Sequence, residues 1–409
     1  MDVGGVDARP ARASRSIVGL NAANFFVGGV VGIVLPFATD LLRERAWRYD
    51  AIGVATSALG LGVFLFQTPA GVIVNRVRFR RSLLALSSIV LGVCFGLIPR
   101  AAAHPISIYP LLFVAGISQA FFQPLLGALA LGLGGHDGMN RMMGQNQAWN
   151  HAGNIAVAVT AMLCAPAFGI ESVFLAIVGS SVLLAASARM IAPRYSAAAA
   201  VEESTGESGS VLRDRRALVL LVATALFHVA NDPVTPMVAL DIKRLHGTDS
   251  QVGAVVLVAQ AAMVVVACLA GKLGERFGRK AVMVVGFGVL PVRIFLYSLT
   301  DNPSTLVALQ LLDGIGSGIY GVIVPSMCAD ITAGTGRFNT LLGMIATAQA
   351  LGAVLGPFGS GFVIEHLGFT TAFETYAGIA LVGAILFSWK MPETRAASGN
   401  VGHWRLQAG

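Results

Sequence analysis

Long apolar stretches recur along the chain and are separated by short polar segments. A helix needs about 20 apolar residues to cross the hydrocarbon layer of a membrane, and the stretches are of that length. They do not alternate between apolar and polar residues, as the strands of a membrane β-barrel would. The pattern therefore predicts twelve transmembrane helices, which begin near Ile17, Ala51, Ser82, Ile106, Met142, Val173, Ala217, Val252, Ala281, Thr305, Leu341 and Thr371.

The composition excludes an ordinary soluble domain. Of the 409 residues, 55% are hydrophobic and 12% are charged, whereas a soluble domain carries about 25% charged residues. A disordered chain would need low hydrophobicity and high charge. We therefore expect an all-α integral membrane protein in a lipid bilayer. Its four cysteines fall in different spans without metal or redox spacing, so no metal or cofactor is expected.

The basic residues predict the orientation. Most of the 28 Lys and Arg residues fall in one set of alternating loops, including the run from Arg76 to Arg81 and the run from Lys272 to Lys280. By the positive-inside rule both termini are cytoplasmic, which suits a bacterial cytoplasmic (inner) membrane. The net charge of +7 is then a topology signal, and no binding of nucleic acid is expected. The apolar run from Ile17 to Thr39 is too long for a secretory signal peptide.

The chain divides into two related halves. The stretch from Ala192 to Ala217 is poor in large apolar residues and reads as a flexible cytoplasmic linker. We therefore predict one six-helix bundle over 1–191, a linker over 192–216 and a second bundle over 217–409. Pro36 and Pro236 correspond at an offset of 200 positions, as do other residues at nearly the same offset. Such matches indicate a duplicated unit, as in transporters built from repeats.

The basic turns after the second and eighth predicted helices share a motif. The later turn reads GKLGERFGRK, from Gly271 to Lys280. It resembles the signature G-x-x-x-(D/E)-R-x-G-(R/K)-(R/K) of the major facilitator superfamily of transporters. The resemblance implies twelve helices in two pseudo-symmetric six-helix bundles. The matching positions are Gly271, Glu275, Arg276, Gly278, Arg279 and Lys280, and in the earlier turn Gly71 and Arg76 fit while Asn75 replaces the acid.

The resemblance also implies a conformational latch. In the family, this turn holds the start of a helix in the other half and stabilises the outward-facing state. By that geometry Glu275 faces the start of the fifth helix near Arg141, and Asn75 faces the start of the eleventh near Arg337. Since Asn75 carries no charge, Glu275 should form the stronger side. The alternative is that these charges serve only to orient the protein in the membrane.

Polar residues inside the membrane are costly and usually face a cavity. The fifth predicted helix carries Gln147, Asn150, His151 and Asn154 at i, i+3, i+4 and i+7, which places them on one helical face. We expect them to contact solute or water. Hydrogen bonds between helices are the alternative.

The seventh predicted helix offers groups for proton coupling. His228, Asn231 and Asp232 share a face near mid-depth, and an imidazole titrates near neutral pH. Pro233 should break the helix beside them. A His–Asp pair that only fixes packing is the alternative. Arg293 and Asp313 lie at similar depths on the ninth and tenth helices, so we expect them to form an ion pair that is either static or part of the coupling.

Other polar and aromatic residues of the predicted helices complete a neutral, hydrogen-bonding cavity suited to a medium-sized organic molecule. By the family's architecture they come from helices that line or flank the central path. These residues are Asn21, Asn24, Phe25, Gln67, Gln119, Phe122, Gln123, Gln260, Tyr320 and Gln349.

The leading hypothesis is a monomeric secondary active transporter that moves a small organic solute by alternating access. We expect coupling to protons and favour export. The absence of a P-loop motif argues against an ATPase, and no nucleophile–base or metal spacing indicates an enzyme. Leu112 stands where proton antiporters of the family often carry Arg, which speaks against classical drug/proton antiport. An uptake permease for a metabolite, proton-coupled or facilitative, and a non-transporting membrane sensor are the alternatives.

Overall fold

The computed structural model describes residues 8–196, 211–335 and 337–395, and within these ranges every regular element is a helix. Of the helices in these described ranges, eleven are long and apolar enough to cross a membrane. The last of them contains Gly368 at φ 84°, where the backbone leaves helical geometry, so it comprises two spans. The spans are α1 (Ser14–Glu44), α2 (Tyr49–Arg76), α3 (Arg80–Ala101), α4 (Ile106–Gly135), α5 (Met142–Phe168), α6 (Glu171–Met190), α7 (Arg215–Arg244), α8 (Asp249–Phe277), α9 (Arg279–Tyr297), α10 (Pro303–Ile331), α11 (338–367) and α12 (369–390).

Four of these spans are interrupted, and they are the first and fourth of each half. α1 consists of Ala8–Val31 and Val34–Glu44, and α7 of Arg215–Asn231 and Val234–Arg244. α4 turns at Phe121 and α10 at Leu309. An interruption frees backbone groups from the helical hydrogen-bond ladder, which membrane proteins tolerate where the backbone lines a cavity or is buried in protein.

The two halves repeat the same geometry at the offset of 200 positions. The second segments of α1 and α7, Val34–Glu44 and Val234–Arg244, occupy equivalent positions. The turns that follow them contain Ala46 at φ 62° and His246 at φ 61°. A positive φ is uncommon for a residue other than glycine, so two of them at equivalent positions support the duplication inferred from the sequence.

The helices pack as two groups that meet chiefly along three pairs. In the first group α1 packs on α5 and α6, α2 packs on α4, and α3 packs on α6. In the second group α8 packs on α10, and α9 packs on both α10 and α12. Across the groups α2 contacts α11, α5 contacts α8, and the end of α1 contacts the end of α7. Residues 197–210 lie outside the described ranges, so the linker over 192–216 and the bundle boundaries beside it stay predictions.

The predicted topology gives the molecule an outer end and an inner end. The outer end carries the turn between α1 and α2, and the inner end carries the turn between α2 and α3. At the outer half the groups are in close contact. Gly53 and Gly60 of α2 lie against the α11 backbone without room for a side chain. The Ser57 hydroxyl donates to the carbonyl of Val354 at 2.8 Å, and the Ser250 hydroxyl donates to that of Met162 at 3.0 Å.

A candidate solute cavity and its buried charges

The polar stripe of α5 serves two purposes. Asn150 and Asn154 face α1, where the Asn150 amide donates to the carbonyl of Asn24 at 3.4 Å and the Asn154 amide donates to Asn150 at 3.2 Å. Asn154 is 6% exposed. These two amides therefore belong to a helix–helix contact, which is the alternative considered above for the stripe.

The other two members of the stripe face away from that contact. Gln147 is exposed. His151 Nδ1 lies 2.8 Å from the side-chain oxygen of Gln260 on α8, and it donates the hydrogen bond when Nδ1 carries the proton. The His151–Gln260 hydrogen bond joins the two groups of helices near mid-depth. The contact of Gln147 with solute or water, which the cost of an exposed glutamine in lipid favours, stays a prediction.

In the second half, a histidine and an aspartate lie at the interruption of α7. His228 Nδ1 is 2.9 Å from Asp232 Oδ1, and their side chains are 16% and 24% exposed. His228 Nε2 is buried and has no hydrogen-bond partner within the described residues. The arrangement joins a carboxylate to an imidazole that retains one nitrogen for a further proton. Pro233 follows Asp232 directly and has no backbone N–H to donate to the helical ladder, which favours an interruption here.

Tyr320 extends this polar region. Its hydroxyl accepts a hydrogen bond from the amide of Gln349 at 3.1 Å and lies 3.4 Å from the hydroxyl of Thr224. The Tyr320 ring contacts the His228 ring edge-on, with centroids 5.1 Å apart. Tyr320 is 7% exposed. It therefore supports the His228 side chain from one side and leaves little of its own surface for a solute.

Arg293 and Asp313 form the ion pair expected from their depths. Arg293 is 1% exposed, and its guanidinium also donates to the side-chain oxygen of Asn231 at 2.6 Å. The Asp313 carboxylate accepts from the hydroxyl of Ser317 at 3.2 Å. A buried guanidinium without these partners would be strongly unfavourable. The Arg293–Asp313 pair therefore joins α9 and α10 to α7 at Asn231, the residue before Asp232.

The two halves place their glycines and their polar residues on opposite helices of a pair: glycines on α1 and polar residues on α5 in the first half, polar residues on α7 and glycines on α11 in the second. In the first half Gly28 and Gly32 of α1 accommodate the asparagines of α5. At an offset of 200, α7 carries His228 and Asp232. On α11 Gly352 lies against His228, and Gly356 lies against Val229 and Pro233 of α7. Each half thus packs glycines of one helix against a helix that carries polar residues, and the described residues of the second half add a histidine–aspartate pair on α7.

The remaining predicted cavity residues do not form one uniform surface. Phe122 is 2% exposed and belongs to the hydrophobic core, because the turn at Phe121 directs its apolar ring inward. The structure therefore does not place it on an open face. Asn24 is 4% exposed, and its amide donates to the carbonyl of Leu20 in its own helix. Partly or fully exposed are Asn21, Phe25, Gln67, Gln119, Gln123, Gln147, Asn150, His151, Gln260 and Gln349.

The predicted latch residues lie at the inner end. Glu275 and Arg276 are exposed, and among the described residues the Glu275 carboxylate forms no ion pair. The side chain of Arg141 lies outside the described residues. Gly71 has open space around it, whereas Gly278 has φ 92° and lies against Glu393. The contacts of Glu275 with Arg141, and of Asn75 with Arg337, stay predictions.

Sequence reasoning missed the groups that hold the signature turn. Glu393 accepts hydrogen bonds from the backbone N–H groups of Arg279 at 2.9 Å and Lys280 at 3.1 Å, at the first turn of α9. Burial raises the pKa of Glu393, but this is outweighed by backbone donors from Arg395, Arg279, Lys280 and Thr394, which hold the pKa below its usual value. Asp330 lies 3.6 Å from Arg279. The signal available in the sequence was Glu393 itself, a single acidic residue just after the last apolar stretch.

Comparison with known proteins identifies the family. The model of the Major Facilitator Superfamily matches residues 20–230 and 220–407. An uncharacterised MFS-type transporter of Mycobacterium tuberculosis is 34% identical over 406 residues, which cover 96% of each chain. Multidrug resistance protein 1 of Bacillus subtilis is 31% identical over 172 residues, 41% of this chain and 43% of its own. The chain therefore belongs to the Major Facilitator Superfamily and is a multi-pass membrane transport protein, not an enzyme.

Solved structures share the fold. The nucleoside transporter NupG superposes with a TM-score of 0.74 at 15% identity, covering 92% of this chain and 98% of its own. The D-xylose–proton symporter also has a TM-score of 0.74, at 13% identity with 94% and 98% coverage. At these identities the likeness concerns the fold alone, and it agrees with the predicted arrangement of twelve helices.

Proposed function

We propose that the protein is a secondary active transporter that moves a small organic solute by alternating access. The groups of helices meet at the outer half, through Gly53, Gly60 and Ser57 of α2. On the inner side of the His151–Gln260 bond, Gln147 is exposed. Contact at one end with exposed polar groups at the other is what an inward-facing transporter requires.

The proposed coupling ion is the proton, bound at His228 and Asp232. The observation that carries this proposal is the 2.9 Å contact between the two side chains beside the interruption of α7. Protonation at Nε2 of His228 would convert the contact into an imidazolium–carboxylate pair, so the pair can gain or lose one proton without losing its hydrogen bond. Arg293, which is paired with Asp313, donates to Asn231, the neighbour of Asp232. This contact connects the His228–Asp232 pair to α9 and α10.

The solute is proposed to be neutral and hydrogen-bonding, because the exposed groups are chiefly amides and one imidazole. We favour export from the cytoplasm, with both termini on the cytoplasmic side of a bacterial cytoplasmic membrane and a monomer as the functional unit. Relatives named as multidrug resistance proteins match 41% and 44% of the chain, and their names support export.

The test uses purified protein in liposomes. A panel of metabolites and drugs is first tested for thermal stabilisation, since a bound solute raises apparent stability by mass action. Flux of each stabilising solute is then measured with and without an imposed pH gradient. We expect Asp232→Asn to lose the response to the gradient, whereas Glu171→Gln, at an exposed ion pair with Arg45, keeps it. Binding without flux would favour a sensor, and flux of Asp232→Asn with the full response would remove the proposed coupling site.

A further inference from the structure

A charge cluster at the outer end joins the two groups of helices. The ammonium of Lys243 on α7 lies 2.6 Å from Asp249 Oδ1 of α8, 3.5 Å from Asp40 Oδ2 of α1 and 3.6 Å from Glu44 Oε1 of α1. Oxygens of the three carboxylates lie within 4.8 Å of one another. One cation therefore faces three acids, and two of those acids belong to the other half of the molecule.

The cluster has more negative than positive charge. Like charges this close disfavour simultaneous ionisation, so such a site tends to retain a proton on one carboxyl group. Lys243 makes its shortest contact with Asp249, which leaves Asp40 and Glu44 at longer distances from the ammonium. The excess charge is thus concentrated on the two acids of α1.

Burial decides which of the two acids holds the proton. Asp40 is 1% exposed, whereas the Glu44 side chain is 44% exposed. Within the described residues neither carboxylate oxygen of Asp40 accepts a hydrogen bond. An ionised carboxylate that is removed from water without hydrogen-bond donors is strongly disfavoured. Burial and charge therefore both favour the neutral acid at Asp40.

Other helices that pack on this end of α1 do not change the balance. On α2 Asp50 pairs with Arg48 at 2.9 Å, and on α6 Glu171 pairs with Arg45 at 3.0 Å. Arg100 at the end of α3 is exposed. Among the described residues, the charged groups that act on Asp40 are thus the three other members of its cluster, Lys243, Glu44 and Asp249.

We infer that Asp40 is a second proton-binding site and that the proton bound there holds the outer end closed. The inference rests on the alternating access proposed above. When α1 and α7 separate, Asp40 gains water, and its ionised form becomes favourable. A proton then binds more tightly to the closed arrangement than to the open one. By linkage, low external pH stabilises the closed outer end, and high pH favours its opening.

Pulsed electron paramagnetic resonance distances across the outer end test this inference without any solute. Spin labels are placed in a cysteine-free background at Ala103, between α3 and α4, and at Leu299, between α9 and α10. Both positions are exposed. We expect the long-distance population to grow as the pH rises from about 5 to about 8. One proton can change the open-to-closed ratio by at most about tenfold per pH unit, and we expect about tenfold in total, within the usual range of coupling.

Three variants assign the response. Asp40→Asn resembles the protonated acid and should stay closed at all pH values. Glu44→Gln removes a neighbouring negative charge, so the response should weaken and move to lower pH. Lys243→Gln removes the cation and should move the response to higher pH. If Asp40→Asn does not fold, the opposite displacements of the other two variants still test the cluster.

The response must also be separate from the proposed coupling site. In the Asp232→Asn background the labels should report the same pH dependence, because Asp40 is intact. Loss of the response in that background, its persistence in Asp40→Asn, or opening at low pH would overturn the inference. Since no transport is measured, failure to find solute flux would affect the proposed function and leave this result unchanged.

Discussion

Replacing Asp313 by Asn would leave a buried guanidinium without its counter-ion. Arg293 is 1% exposed and Asp313 is 13% exposed, so solvent cannot replace the carboxylate. Removal of one partner of a buried pair costs about 3–5 kcal/mol. Because Asn231 still accepts a hydrogen bond from Arg293 at 2.6 Å, we expect the lower part of that range, about 3 kcal/mol of the free energy of unfolding.

The reverse substitution should be less harmful. In Arg293→Met the Asp313 carboxyl group can take up a proton, whereas a guanidinium cannot lose one in a protein. We therefore expect Arg293→Met to cost less than Asp313→Asn. The double variant Arg293→Met/Asp313→Leu removes both charges and should return to within about 1 kcal/mol of the original protein.

Unfolding by sodium dodecyl sulfate in mixed micelles gives these free energies, and flux in liposomes gives the functional readout. A double variant that regains both stability and solute flux would show that the ion pair is a static support. Regained stability without flux would show that its charges take part in transport. The reasoning would be refuted by an Asp313→Asn protein within 1 kcal/mol of the original, or by a double variant as unstable as the single one.

Three further substitutions address packing, acid stability and the latch. Gly352→Ala should destabilise the protein, because its methyl group would overlap His228, whereas Gly343→Ala on the same helix, where space is open, should leave the melting temperature unchanged; equal effects would contradict the packing. Glu393→Gln should reduce stability near neutral pH, because the lowered pKa of Glu393 stabilises the folded protein at pH values above the ordinary pKa of 4.5. The original protein loses this stabilisation as the pH falls below 4.5. The variant should therefore lose less stability over that range, and melting temperatures measured against pH check this. Glu275→Gln should keep the melting temperature but shift the distance distribution between labels at the inner end toward the inward-open form, and an unchanged distribution with unchanged transport would exclude the latch.

Much of the fold could be predicted because the membrane requires apolar helices of nearly fixed length. The predicted starts of the spans agree with the structure to within a few residues, for example Ser82 against Arg80 and Thr305 against Pro303. The pairing of Arg293 with Asp313 followed from their similar depths and from the cost of an isolated buried charge. Both arguments depend on position along a helix axis, which the sequence contains directly.

The contacts that depend on helix rotation and on packing between halves could not be predicted in this way. Asn150 and His151 are adjacent in sequence, yet one faces α1 and the other reaches Gln260 on α8. Lys243 meets Asp40 only because the ends of α1 and α7 cross at the outer end. Periodicity identifies a polar face, but it does not identify the neighbour on which that face packs.

The most direct test of the central claim is the movement of protons driven by a solute gradient. Liposomes that contain the protein and a pH-sensitive dye receive a stabilising solute on one side only. We predict a pH change with the original protein, and none with Asp232→Asn, although that variant should still exchange labelled for unlabelled solute. Proton movement that persists in Asp232→Asn, or solute flux without any proton movement in the original protein, would contradict the account.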